Sequence, residues 1–167
     1  MPWRLMTTQD LDQVKGLADR IHLAHPEDME VLAERQRIYP DGCYVLSERN
    51  ALIGYALTHP WRYGEPPPLN SRLGVMPNPA TTYYVHDVAL LPEGRGKGYA
   101  VQAGELLARH ARAAGFSNMS LVAVNKSQEF WERLGFRVTR VPGLDAKLLS
   151  YGTDAVMMVR DLDPSGG

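Results

Sequence analysis

Val88-Ala89-Leu90-Leu91-Pro92-Glu93-Gly94-Arg95-Gly96-Lys97-Gly98-Tyr99-Ala100 is the stretch from which the fold is read: an apolar strand ends in a glycine-dense turn that opens a helix. Glycines let such a turn come close to a ligand, and its N–H groups, with the positive end of the helix dipole, suit an anion such as a pyrophosphate. Behind the turn, Ala100, Ala103, Leu107, Ala111 and Ala114 fall on one helical face, with Gln102, Glu105, Arg109 and Arg112 opposite and Gly115 as the stop. Other phosphate motifs are excluded. Gly94, Gly96 and Gly98 do not give G-x-G-x-x-G, Gly96-Lys97 is followed by Gly98 and not by Ser or Thr, and Leu91 stands where a P-loop needs its first glycine.

Outward from this stretch, the chain alternates strands and helices. Upstream, the patterns predict a strand at Trp3–Met6, a helix capped by Thr8 or Asp10 with Leu11, Val14, Leu17, Ala18 and Ile21 at helical spacing, and a second helix near Asp28–Arg37 with a weaker stripe at Met29, Leu32, Ala33 and Gln36. Cys43–Ser47 and Leu52–Thr58 read as a hairpin around Glu48-Arg49-Asn50, followed by a Pro- and Gly-rich loop from His59 to Thr82 that reads as functional or mobile. Downstream come a strand at Tyr83–Leu91, helices at Gly98–Ala114 and Ser127–Leu134, and strands at Met119–Val124, Phe136–Val141 and Ala155–Arg160. The expectation is one mixed α+β or α/β domain over residues 1–162, with a frayed tail at 163–167.

Composition narrows the class. A chain of 167 residues with 44% apolar and 22% charged residues is that of a globular protein with one buried core. Its net charge of −1 provides no general field for nucleic acid. No apolar run reaches the roughly 20 residues that span a bilayer, and Met1–Asp10 lacks a signal-peptide core. Neither a nucleic-acid nor a membrane partner is expected. Cys43 is the only cysteine, which precludes an internal disulfide and a multi-cysteine metal site and fits a reducing, cytoplasmic setting. No metal is expected.

Arg95-Gly96-Lys97-Gly98-Tyr99-Ala100 resembles the Arg/Gln-x-x-Gly-x-Gly/Ala signature of the GCN5-related N-acetyltransferase (GNAT) family, placed as in that family between an apolar strand and a helix. A second block follows in register: the strand Leu121–Val124, then Asn125, then Phe130-Trp131-Glu132-Arg133-Leu134-Gly135-Phe136, similar to the family's Tyr-x-x-x-Gly-Phe helix end. The two blocks span about Tyr83 to Arg137. The resemblance implies a central, mostly antiparallel sheet with splayed strands and flanking helices, and acetyl-CoA as cosubstrate. It implies that Val88, Ala89 and Leu90 pair with the pantetheine arm between the strands equivalent to Tyr83–Leu90 and Met119–Val124. The amides of Arg95, Gly96, Lys97, Gly98, Tyr99 and Ala100 would hold the pyrophosphate. Asn125 would contact pantetheine or cap the following helix, and Phe130 and Trp131 would lie along the coenzyme arm.

The same resemblance implies direct attack of an acceptor amine on the thioester in a ternary complex, with the Val88 N–H as oxyanion donor and a helix tyrosine protonating the leaving thiolate. Here that position is Trp131, whose indole is no useful acid, and the Asn125-to-Trp131 interval is one residue shorter than the usual pattern. Ser127, Tyr151 or unassisted departure of the thiolate would substitute. For the base, His86 and Asp87 interrupt the apolar strand; on a regular strand they face opposite sides, unless a bulge changes the parity. An imidazole's unperturbed pKa suits the role for His86, and Asp87 would act through water, or either simply satisfies buried hydrogen bonds.

The acceptor, a small or peptidic amine, would be selected by Asp10–Tyr39 and by the His59–Thr82 loop, where Trp61 and Tyr63 form a lid or pack over the sheet edge. Glu27, Asp28, Glu30 and Glu65 attract a cationic amine or form a solvated acidic face. The family's frequent dimers make the strands after Phe136 a candidate homodimer interface. Two alternatives stand beside the transferase: a non-catalytic acyl-CoA sensor, and a nucleotide-binding, kinase-like protein that the failed Walker pattern disfavours.

Overall fold

The structure, a computed structural model, describes residues 2–23, 26–124 and 126–162. The expectations for Asn125 and for the tail at 163–167 lie outside the described residues. The elements are β1 (Trp3–Leu5), α1 (Leu11–Ile21), α2 (Met29–Ile38), β2 (Cys43–Glu48), β3 (Ala51–Trp61), β4 (Thr82–Leu90), α3 (Tyr99–Ala113), β5 (Asn118–Ala123), α4 (Gln128–Arg133), β6 (Arg137–Val138), α5 (Asp145–Leu149) and β7 (Val156–Asp161). The strand order is β1-β2-β3-β4-β5-β7-β6. The pairs β1/β2, β2/β3, β5/β7 and β6/β7 are antiparallel, and β4/β5 is parallel. This is the mixed, mostly antiparallel sheet with helices expected of the sequence.

The chain divides into two compact units, one of Met1–His59, Pro67–Met76 and His86–Ala103, the other of Pro60–Pro66, Pro77–Val85 and Gly104–Gly167. In the first, α1 buries Val14, Leu17 and Ala18 of its predicted stripe. The 3-10 turn Thr8–Asp10 that leads into it is closed by a reciprocal cap between Thr7 and Asp10, the Asp10 carboxylate also accepting both Nη groups of Arg4 at 2.8 and 2.9 Å. The β2–β3 hairpin turns at Arg49 and Asn50, both at positive φ, the two-residue form whose twist matches the flanking strands.

Helix α2 departs from its predicted stripe. It buries Val31, Leu32, Glu34 and Arg35 rather than Met29, Ala33 and Gln36. The charges tolerate burial because the Pro-rich loop brings them partners: the Glu34 carboxylate accepts the Leu73 and Gly74 N–H groups, and Arg35 Nη2 donates to Ser71 O. Asn70 Oδ1 accepts the Asp28 N–H at 2.7 Å, and Arg72 pairs with Glu30. The 67–76 part of the loop, read in the sequence as functional or mobile, is thus tied along α2 by a row of polar contacts.

In the second unit Tyr83 packs edge-on to His110 and against Phe116, while Thr82 Oγ1 donates to Asn118 Oδ1 and shares a bond with Ser120 Oγ. The predicted strand at Phe136–Val141 shrinks to Arg137–Val138, and α5 follows where no element was expected. Val141 and Leu148 pack on Leu144, Met157 and Val159, so a short amphipathic turn, stopped by Pro142-Gly143 before it, covers this part of the sheet. β3 runs on through Pro60 to Trp61, whose carbonyl accepts the Thr81 N–H. Among the described residues, no helix is long and apolar enough to cross a membrane.

One close approach in the first unit positions the end of β4. A Cβ added to Gly54 of β3 would lie 2.7 Å from both the Ala89 carbonyl oxygen and Leu90 Cδ2. Backbone cannot yield as a flexible side chain does. Gly54→Ala is expected to cost about 1–3 kcal/mol, read as a lowered urea midpoint at unchanged m-value; an unchanged midpoint would show that β3 and β4 separate freely here.

Candidate functional site

The predicted glycine-dense turn between strand and helix forms in the first unit. β4 ends at Leu90, Pro92–Gly94 makes a single 3-10 turn with the Gly94 N–H donating to Leu91 O, and α3 begins at Tyr99. Gly96 and Gly98, on either side of Lys97, both have φ of +78°, and a Cβ at either would meet nothing within 4 Å. The turn is open on its outer side. A 15-residue helix leaves its first-turn N–H groups without intrahelical carbonyls, and left-handed residues alternating with others aim successive amides at one point. Arg95, Gly96, Lys97 and Gly98 are exposed, and Tyr99 and Ala100 half-buried.

Three contacts fix this turn. Trp3 Nε1 donates to Tyr99 O at 2.9 Å, Tyr99 Oη donates to Glu48 Oε2 at 2.6 Å, and Lys97 Nζ bridges both Glu48 oxygens at 3.0 and 3.1 Å. The Tyr99 and Lys97 bonds hold the Glu48 carboxyl below its ordinary pKa. No feature of the local sequence announces Glu48, because strand β2 supplies it from 49 positions away.

The last residues of β4, just before the turn, carry the polar centre. Val88 and Leu90 are half-buried and Ala89 is buried. Asp87 Oδ2 accepts two hydrogen bonds, from Tyr55 Oη at 2.7 Å and from His22 Nε2 at 2.8 Å. His86 Nε2 meets Glu27 Oε1 at 2.8 Å. Although His86 and Asp87 are successive strand residues, both reach the segment that follows α1, so the two do not work on independent faces.

The electrostatics follow from these partners. Burial alone would raise the Glu27 carboxyl, but the His86 imidazole, the Arg35 charge and the Asn70 N–H outweigh it and hold Glu27 at about 2. The hydrogen bond to Asp87 raises the His22 pKa, its burial opposes this, and the charges of Asp87 and Glu27 add to the rise. Burial and the Asp87 charge push the Tyr55 hydroxyl well up, so it stays a donor at neutral pH. The Cys43 thiol is pushed by burial to about 12 and is no nucleophile.

The remaining predicted site residues lie in the second unit. Trp131 is buried and stacks edge-on with Phe130 and Phe136 at ring distances of 5.0 and 5.5 Å. Ser127 Oγ donates to Val124 O at 2.6 Å, at the start of α4, and Tyr151 is buried. Of the acidic residues proposed for the acceptor side, Glu27 turns inward to His86, Glu30 pairs outward with Arg72, and the Glu65 carbonyl accepts Trp61 Nε1. His22 and Tyr55 were not among the predicted site residues; a histidine just past a helix and a tyrosine in a strand carry no local signal. Among the described residues, no group of three or more His, Cys, Asp or Glu is placed to hold a metal ion.

The strand β4 of a mixed sheet runs into an open, glycine-built turn at a helix N-terminus, a geometry able to hold an anion. The sequence profile of the "Acetyltransferase (GNAT) family" matches residues 11–136, more than half of the chain, and the chain belongs to that family. Its fold is shared with the loading GNATL domain of CurA from Lyngbya majuscula (14% identity, 96% of each chain covered, TM-score 0.79). It is likewise similar to the ribosomal-protein-S18-alanine N-acetyltransferase from Escherichia coli (17% identity, 96% of this chain and 93% of that one, TM-score 0.67). N-acetylglutamate synthase from Neisseria gonorrhoeae, solved with coenzyme A and N-acetyl-glutamate, matches over 96% of this chain and 35% of its own (19% identity, TM-score 0.71). Among curated proteins, none matches the chain in sequence.

The Glu27 and Asp10 carboxyls carry a prediction for stability. Both titrate near 4 in an unfolded chain and at about 2 in the fold, Asp10 chiefly through its Arg4 hydrogen bonds. The unfolded state therefore binds more protons between these values, and stability is full above about pH 4.5 and lost as pH falls toward 2. Glu27→Gln should flatten this acid limb, removing up to about 3 kcal/mol of pH-dependent stability. Urea unfolding at pH 2.5 and pH 6 measures it; equal slopes in both proteins would show that Glu27 is not ionised in a pair.

Proposed function

We propose that this chain is an acetyl-CoA-dependent N-acetyltransferase whose acceptor amine, on a small or peptidic molecule, attacks the thioester directly in a ternary complex. The observation that carries the reading is the turn Gly94–Gly98: two left-handed glycines, open on their outer side, at the N-terminus of α3 and directly behind the end of β4. The residues fit the coenzyme. The amides from Arg95 to Ala100 would hold the pyrophosphate, with Glu48 and Trp3 fixing the turn from behind. The backbone of Val88, Ala89 and Leu90 would pair with the pantetheine amides. When bound, acetyl-CoA supplies the activated acetyl group.

The chain's own part is to position the amine, to aim the Val88 N–H at the thioester oxygen as it gains charge, and to move protons. Direct attack is supported by the state of Cys43, the only cysteine, which is buried and held as a thiol. Base function belongs to the His86–Asp87 region, the polar end of β4. Trp131, enclosed by Phe130 and Phe136, suits packing better than acid catalysis, and Ser127 and Tyr151 stand as substitutes for the absent tyrosine acid. That absence also favours a second reading, a non-catalytic acyl-CoA sensor.

Calorimetry with acetyl-CoA, with CoA and ATP as controls, should give micromolar binding to acetyl-CoA and CoA, and free thiol should appear when a panel of primary amines is added. Gly98→Val, which forces a branched side chain into a left-handed position of the anion turn, should weaken acetyl-CoA at least about tenfold, a loss of about 1.4 kcal/mol. Binding without thiol release identifies the sensor; binding of ATP alone, or of neither, rejects the proposal.

A further inference from the structure

We propose that His22, at the end of α1, is the proton acceptor for the attacking amine, with Asp87 and Tyr55 as its positioning residues. This rests on the transferase reading above and adds the group that accepts the proton.

Three imidazoles belong to the first unit among its described residues, His22, His59 and His86, and their surroundings differ. His59 is 2% exposed, with its Nε2 3.5 Å from Arg35 Nη1, a cation that opposes a second positive charge. The His86 side chain is 6% exposed, and its partner Glu27 already has Arg35 as a cationic neighbour. The His22 side chain is 30% exposed. Its partner Asp87 takes its other bond from a neutral hydroxyl, so the full carboxylate charge is available to stabilise an imidazolium.

The hydrogen-bond pattern also sets the tautomer. An ionised carboxylate only accepts, so the His22 Nε2 carries the proton that meets Asp87 Oδ2. Nδ1 is then the ring's basic nitrogen, and it has no hydrogen-bond partner among the described residues. Tyr55 Oη, donating to the same carboxylate oxygen, keeps Asp87 from turning. This is a base oriented by a third group, the arrangement general-base catalysis needs. It sits on Asp87, one residue before the Val88 N–H assigned to the thioester oxygen.

The step balances. A protonated acceptor amine gives one proton to His22 Nδ1, its nitrogen forms a bond to the acetyl carbon, and the carbon–sulfur bond breaks. The second proton lost by nitrogen leaves on the CoA thiol, and His22 returns its proton to solvent. No oxidant, reductant or metal is required. The charged or titratable groups around His22 are Asp87 and His86 on β4, Tyr55 on β3, Glu27 in the following segment, Asp19 on α1, and Arg35 on α2 acting on Glu27. Of these, the anionic Asp87 and Glu27 act on His22 and raise its basicity.

The experiment measures kcat/KM against pH with the amine panel for the wild type, His22→Asn, His86→Asn and Asp87→Asn, with acetyl-CoA affinity by calorimetry as the check on folding. His22→Asn should lower kcat by about 100-fold or more and abolish the acid limb with acetyl-CoA affinity unchanged. Asp87→Asn should move that limb to lower pH, because His22 loses the carboxylate that raises it; an acid limb lost in His86→Asn and kept in His22→Asn would assign the base to His86 and overturn this inference. In the resting protein, the imidazole of His22 should titrate by NMR above the free value and fall back in Asp87→Asn, a readout independent of turnover. Wild-type kcat and limb in His22→Asn would overturn this inference and leave the transferase reading standing. A wild type that binds acetyl-CoA but acetylates no amine would overturn both.

Discussion

A carboxylate taken out of water in a strand must find donors, and the first unit is organised around that constraint at Asp87. One of its oxygens accepts both Tyr55 Oη and His22 Nε2, which draws the end of α1 and the middle of β3 to the polar end of β4. Next to it, His86 draws in Glu27. The segment after α1 is therefore held at both ends by successive residues of one strand. Any ligand brought to the Val88–Leu90 backbone meets a pre-built set of proton-bearing groups and not a bare edge.

The same constraint explains α2 and its loop. Glu34 and Arg35 are buried, 3% and 2% exposed, at positions where a helix stripe should be apolar. Loop backbone at Ser71, Leu73 and Gly74 meets their charges, and Asn70 joins the loop to Asp28 and Glu27. Regular structure is unnecessary for order when backbone N–H and C=O groups find side-chain partners. Because Asn70 and His86 share Glu27, loop, helix and strand form one polar layer.

Much of the scaffold was legible from local pattern. The Val88–Ala100 stretch, the stripe of α1 and the Arg49-Asn50 turn follow from residue periodicity and from backbone preferences, which act over a few residues. The errors have physical causes of longer range. β6 stops after two residues and α5 replaces the expected strand because Pro142-Gly143 interrupts the chain and Leu144 and Leu148 can still reach the Met157–Val159 surface. The stripe of α2 was misread because the apolar rule fails where a distant loop pairs the charges.

The sequence by itself determined the family: glycine spacing between an apolar strand and an amphipathic helix, with a second block in register, is local information. It also flagged His86 and Asp87, since polar residues in an apolar strand stand out. Only the tertiary structure decided their company. His22, Glu27 and Tyr55 lie 65, 59 and 32 positions from their partners, and proton chemistry depends on separations of about 3 Å that no local pattern encodes.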